Sequence, residues 1–135
     1  MSSTPTTVAS TIPASNAMLE QLTSEYKQKS SQYCALNTQI TQSQRIVNEV
    51  TADIKNWMRK ADRLLASIPG KKKGDKRWIV KQLENIVNIT GELKIRGDTQ
   101  IKLMNKYTLE QKILIEQMKC IENFVRDFLI SPSTS

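Results

Sequence analysis

The sequence predicts an all-α protein built as an elongated helical hairpin or coiled coil, with two long helices between flexible tails. Three observations carry that expectation. Gly and Pro together number eight in 135 residues, too few turn residues for a sandwich, barrel or doubly wound sheet. Neither residue occurs between Ser15 and Ile68. Apolar side chains recur across that span at alternating steps of three and four, the spacing of a coiled-coil seam. The length is that of one domain.

Residues 1–16 hold four Ser, four Thr and two Pro. Thr4-Pro5 and Ile12-Pro13 disfavour helix and there is little apolar surface to bury, so the segment is expected to be a disordered tail. Residues 131–135, with Pro132, read the same way. Thr4-Pro5 and Ser131-Pro132 match proline-directed phosphorylation, but such pairs abound in polar tails and a solubilising end is the favoured reading.

The helical hairpin is expected over residues 17–130, with its turn at 69–76. Ser15 or Asn16 is placed to cap the first helix, whose first turn carries Glu20. The stepping runs from Leu19 through Leu22, Tyr26, Lys29, Tyr33, Leu36, Ile40, Ser43, Val47, Val50, Ile54, Trp57, Ala61 and Leu64 to Ile68. Only Lys29 and Ser43 are polar, which makes them candidates for setting register. Seven heptads at about 1.5 Å per residue span roughly 75–80 Å, hence the expectation of an elongated molecule.

Pro69-Gly70 ends that helix, and the lysine run Lys71-Lys72-Lys73 with Gly74 follows as a turn. Asp75 is placed as the cap of a second helix starting near Lys76 and reaching about Ile130. The second seam visits Ile79, Leu83, Ile86, Thr90, Leu93, Gly97, Gln100, Met104, Tyr107, Gln111, Leu114, Met118, Ile121, Val125 and Phe128. Folding the chain about the turn pairs positions whose numbers sum to 147. That pairing sets Val50 against Gly97 and Trp57 against Thr90, large against small, as close packing prefers. Gly97 is costly in a helix interior, and Gly97-Asp98-Thr99 offers the alternative of a break that would yield a three-helix bundle.

The second helix has more apolar residues than one seam can hide. Trp78, Val80, Val87, Ile89, Ile95, Ile101, Leu103, Leu109, Ile113, Ile115, Phe124 and Leu129 fall off it, and leaving them in water would expose more apolar area than monomers tolerate. The expected use is assembly, with Val80, Val87, Ile101, Leu109, Ile113 and Phe124 as the partner-helix interface. A break at Gly97 would instead hide much of this set within the chain.

The net charge is +7, and it is concentrated. Arg59, Lys60, Arg63, Lys71, Lys72, Lys73, Lys76 and Arg77 face only Asp62 and Asp75, giving +6 within residues 59–77. Such a tip would attract phosphate head groups, nucleic acid or an acidic protein tail. A solvated turn that resists aggregation is an equal alternative. Trp57 lies on the seam and reads as core; Trp78, beside the turn, is placed for contact.

Chemistry is poorly provided for. His is absent, which removes the usual acid–base switch and commonest metal ligand, and two cysteines cannot build a zinc site. No phosphate-cradling or dinucleotide motif occurs. No cofactor, small-molecule substrate or enzymatic activity is expected. Cys34 and Cys120 are expected as unbridged packing residues. The Asn88-Ile89-Thr90 triplet and Arg96-Gly97-Asp98 are read as chance matches, because Met1–Leu19, uncharged but rich in Ser, Thr and Pro, resembles neither a spanning helix nor a secretory leader. An intracellular place, cytoplasmic or nuclear, is expected. The functional expectation is a structural or scaffolding subunit of a multi-subunit coiled-coil complex, with other helical subunits or copies of itself as partners. The alternative is an oligomeric adaptor whose basic tip binds an anionic membrane, nucleic acid or acidic tails.

Overall fold

The computed structural model describes the backbone of residues 3–130 and the side chains from Asn16 to Ile130. Two helices, α1 (Ser3–Ala66) and α2 (Lys73–Ile130), pack as an antiparallel hairpin, with no strand among the described residues. By compactness the chain divides into a turn unit of residues 39–107 and an end unit of residues 1–38 with 108–135. No helix among the described residues is long and apolar enough to cross a membrane.

The chain reverses through a turn that its residues dictate. The Ser67 amide donates to the carbonyls of Arg63 and Leu64, and the Ile68 amide to that of Leu65, tightening the end of α1 as orphan carbonyls at a helix C-terminus require. The Lys71 amide then donates to the Ile68 carbonyl at 3.1 Å. Pro69 and Gly70 occupy the two central positions, and Gly70 has φ +87°. Pro followed by a residue at positive φ is the signature of a type II turn, and only Gly adopts that φ without strain.

Two boundaries differ from the sequence expectation. α2 starts at Lys73, not near Lys76, with the Lys76 amide bonded to the Lys72 carbonyl at 2.9 Å. Asp75 therefore stands in the first turn, where a carboxylate meets the positive end of the helix dipole, and is not the cap. α1 reaches back to Ser3, so Ser15 and Asn16 are interior and Glu20 is not in a first turn. Pro5 falls among the first residues of α1, whose amides have no intrahelical partner in any case. The side chains of residues 1–15, and residues 131–135 entirely, lie outside the described set, and with them the rest of the tail assignments.

In the turn unit the pairing follows the expected register. Val50, Ile79 and Ile86 are buried, at 3%, 2% and 5% exposure, and the remaining seam positions from Ile40 to Ile68 and from Leu83 to Tyr107 are buried or half-buried. Gly97 is buried, and a methyl group there would lie 3.4 Å from Val50 Cγ1. The glycine thus lets a branched side chain approach the facing backbone. α2 runs unbroken through it; the alternative of a third helix is not what forms. Thr90 satisfies its hydroxyl on the Ile86 carbonyl at 2.9 Å, which lets a polar residue occupy a seam position inside a helix.

In the end unit, Leu114 is buried at 9% and Gln111 at 8%, while Leu19 to Leu36 on α1 and Met118 to Val125 on α2 keep their seam positions half-buried. Phe128 is 41% exposed, so the seam closes one step earlier than its spacing suggests. Lys29 is half-buried on the seam, a position that a long side chain with an apolar stem and a charged end can occupy.

Candidate partner-helix interface and basic tip

In a heptad helix the seam positions a and d are flanked by e, directly after d, and g, directly before a. Antiparallel pairing sets e beside e and g beside g. The end unit shows this arrangement. One trough is lined by the a and e residues Tyr33, Gln111, Thr108 and Ile115, and another by the d and g residues Leu36, Leu114, Gln32 and Glu110 together with Ile113. Both are open to solvent and offer contact surface without excluding water from an occupant.

The e flank of the end unit is bridged by polar side chains. Tyr26 Oη donates to Glu122 Oε1 at 2.7 Å. Gln111 Nε2 donates to Asn37 Oδ1 at 2.6 Å and to the Tyr33 carbonyl at 3.3 Å. The hydrogen bond from Tyr26 to Glu122 is the main reason its phenol titrates above the ordinary 10.0, with desolvation and the neighbouring negative charge adding to it.

The e flank of the turn unit is apolar beside the turn, and Gln44, Thr51 and Lys94 interrupt it farther along. Val80, Val87 and Ile101, each directly after a d residue of α2, are 51%, 67% and 43% exposed. Met58 and Leu65, directly after Trp57 and Leu64 of α1, are 58% and 50% exposed. Five large apolar side chains therefore share one flank without a cover. Met58 and Leu65 escape a sequence reading that seeks surplus apolar residues on the second helix alone; the signal is their seven-residue spacing, one step past the seam.

The other expected interface residues do not join that flank. Leu109, Ile113 and Phe124 are exposed but occupy positions f, c and g, so Leu109 points away from the seam and Ile113 and Phe124 lie toward the g side. Ile89 and Leu103, on the g flank of the turn unit, are half-buried. The apolar surplus is thus split between flanks and is not one stripe.

All eight cations of the basic tip are exposed. Lys60 Nζ lies 5.0 Å from the centroid of the Trp57 ring, a cation–π contact that covers the half-buried indole. Trp78 is 58% exposed. The ion pairs among the described residues are Arg45–Glu49 and Lys119–Glu116, and neither involves a tip cation. Lys73 and Lys76 stand at the positive end of α2, where the helix dipole adds to their field. Cys34 and Cys120 are exposed and unbridged. No cluster of three metal-ligating side chains occurs among the described residues. What the surface offers is apolar contact area and positive charge.

No family model, curated protein or solved structure shows significant similarity to the chain.

Proposed function

We propose that the chain is a non-enzymatic structural or scaffolding subunit that binds partner helices along the apolar flanks of α2. One observation carries this reading. Val80, Val87 and Ile101 in the turn unit, and Leu109, Ile113 and Phe124 in the end unit, are 43–67% exposed, whereas only Val50, Ile79, Ile86 and Leu114 are buried among the described apolar residues. Covering each such side chain is worth at most about 1.5–3 kcal/mol, so partner helices would add a substantial second apolar contact to the one the hairpin seam supplies. Light scattering after size exclusion tests it. A discrete oligomer, or a stable complex with co-expressed helical chains, is expected. Val87→Glu with Ile101→Glu should dissolve that assembly without loss of helicity. A monomer that stays alone at every concentration and forms no such complex would overturn the reading.

A second reading, an adaptor whose tip docks on an anionic surface, is favoured by the eight tip cations, which make no ion pair among the described residues. Lys71→Glu, Lys72→Glu and Lys73→Glu together should abolish salt-sensitive binding to anionic vesicles or DNA. Unchanged binding would rule it out.

A further inference from the structure

We infer that the e flank of the turn unit is a docking groove for an acidic amphipathic helix of a partner protein, seated across Met58, Leu65, Val80 and Val87. The inference rests on the reading that apolar flanks receive partner helices, and it adds where one of them sits and what charge it carries. The two apolar residues on each helix are seven apart and directly follow d residues: Trp57 and Leu64 on α1, Ile79 and Ile86 on α2. Side chains repeating once per heptad on both walls of a groove match the anchors of a third helix in the same register. All four are at least half exposed. In the end unit the same flank is bridged by Tyr26–Glu122 and Gln111–Asn37, whereas the facing positions here, Met58 and Leu65 against Val87 and Val80, are apolar.

Charge selects the occupant. The turn unit holds fifteen of the twenty cations and seven of the thirteen acids, a net +8, and the end unit five against six. Beside the apolar rows the b positions carry Lys55 and Arg77 against Asp62 and Glu84, so the positive excess comes from the turn lysines, Lys71, Lys72 and Lys73, at the closed end of the groove. A second copy of the turn unit would bring another +8 into contact, which like-charge repulsion opposes. A bilayer, being flat, would first meet the outward f positions, where Arg45, Arg59, Lys81 and Lys102 stand with Ile95 as the one large apolar residue. A narrow helix with acidic flanks satisfies both the groove and the field.

The test uses the full chain and two synthetic helix-forming peptides of about four heptads, both with Leu at a and d, one with Glu and one with Lys at the flanking positions. Fluorescence anisotropy should show the Glu peptide binding about ten-fold or more tightly than the Lys peptide, with affinity falling as salt rises. Leu65→Ser with Val87→Ser should weaken the Glu peptide about ten-fold or more at unchanged helicity by circular dichroism. Equal binding of both peptides, lost in that variant, would overturn the charge assignment while leaving the helix-binding reading intact. Binding indifferent to the variant would overturn the site. Binding of neither peptide would overturn both. A flank that instead mediates self-association, or adsorbs to vesicles of phosphatidylserine and phosphatidylcholine or to duplex DNA, would overturn the acidic helix as its occupant.

Discussion

Gln111 reaches from α2 to Asn37 on α1, its Nε2 donating to the amide oxygen at 2.6 Å, while a second hydrogen goes to the Tyr33 carbonyl at 3.3 Å. The side chain sits at a seam position and is 8% exposed, so its polar atoms are satisfied where water is largely excluded. A buried amide of this kind tolerates only the register that brings its acceptors within reach. Gln111→Ala should cost about 1–2 kcal/mol, from a lost hydrogen bond plus lost packing. Asn37→Ala should cost less, since the Tyr33 carbonyl still receives one hydrogen. Urea denaturation of both single variants and the double variant should return a coupling energy of about 0.5–1.5 kcal/mol.

The three glycines Gly70, Gly91 and Gly97 should respond to alanine in different ways. Gly70 has φ +87°, and a methyl group added there would meet nothing, so Gly70→Ala is expected to lose about 1–2 kcal/mol through backbone strain alone. Gly91 is exposed within α2 and a methyl there also meets nothing; Gly91→Ala should gain about 0.5–1 kcal/mol from helix propensity. Gly97→Ala places its methyl 3.4 Å from Val50 Cγ1, an ordinary contact, so a gain of up to about 1 kcal/mol follows. Gly97→Leu should instead push Val50 aside and lose about 1–3 kcal/mol. Thermal denaturation of the four variants checks the order.

Much of this fold was legible because a two-helix hairpin is specified by one periodicity and one turn. The Val50–Gly97 approach follows from the seam spacing and the position of Pro69-Gly70, with no further information. The start of α2 at Lys73 was not legible, since cations are disfavoured at the positive end of a helix dipole, Gly74 is a poor helix former, and Asp75 resembles a cap; the helix nonetheless begins within two residues of the turn closed by Lys71 and Ile68. Asn37 was invisible as a partner of Gln111, because seam counting weighs apolarity and Asn37 lies one step off the seam. The candidate interface was half legible. Its α2 members stand out as surplus, but Met58 and Leu65 join them only once the e positions of two antiparallel helices are set side by side.

The apolar flank should be separable from stability. Val80, Val87 and Ile101 are all more than two-fifths exposed, so Val80→Gln, Val87→Gln and Ile101→Gln should each change the unfolding free energy of the isolated chain by no more than about 0.5 kcal/mol. Ile79→Gln and Ile86→Gln, one residue away and buried, should each cost about 2 kcal/mol or more. Guanidinium denaturation of the five variants checks this division. Equal losses from both sets would mean that the flank is part of the folded core and not a surface left for a partner.

The Tyr26–Glu122 hydrogen bond predicts a defined response to alkali. Its phenol is held above the ordinary 10.0, first by donating to the Glu122 carboxylate, then by desolvation and by the carboxylate's charge. Because the folded pKa lies above the unfolded one, the contribution to stability is fully present below pH 10 and is lost as pH rises through the folded value. Ultraviolet titration at the phenolate band, in a chain carrying Tyr33→Phe and Tyr107→Phe, should therefore place the Tyr26 midpoint above 10. Glu122→Ala removes both the hydrogen-bond acceptor and the carboxylate charge, so the midpoint should fall back toward 10. A midpoint unmoved by Glu122→Ala would show that the pair does not persist in solution.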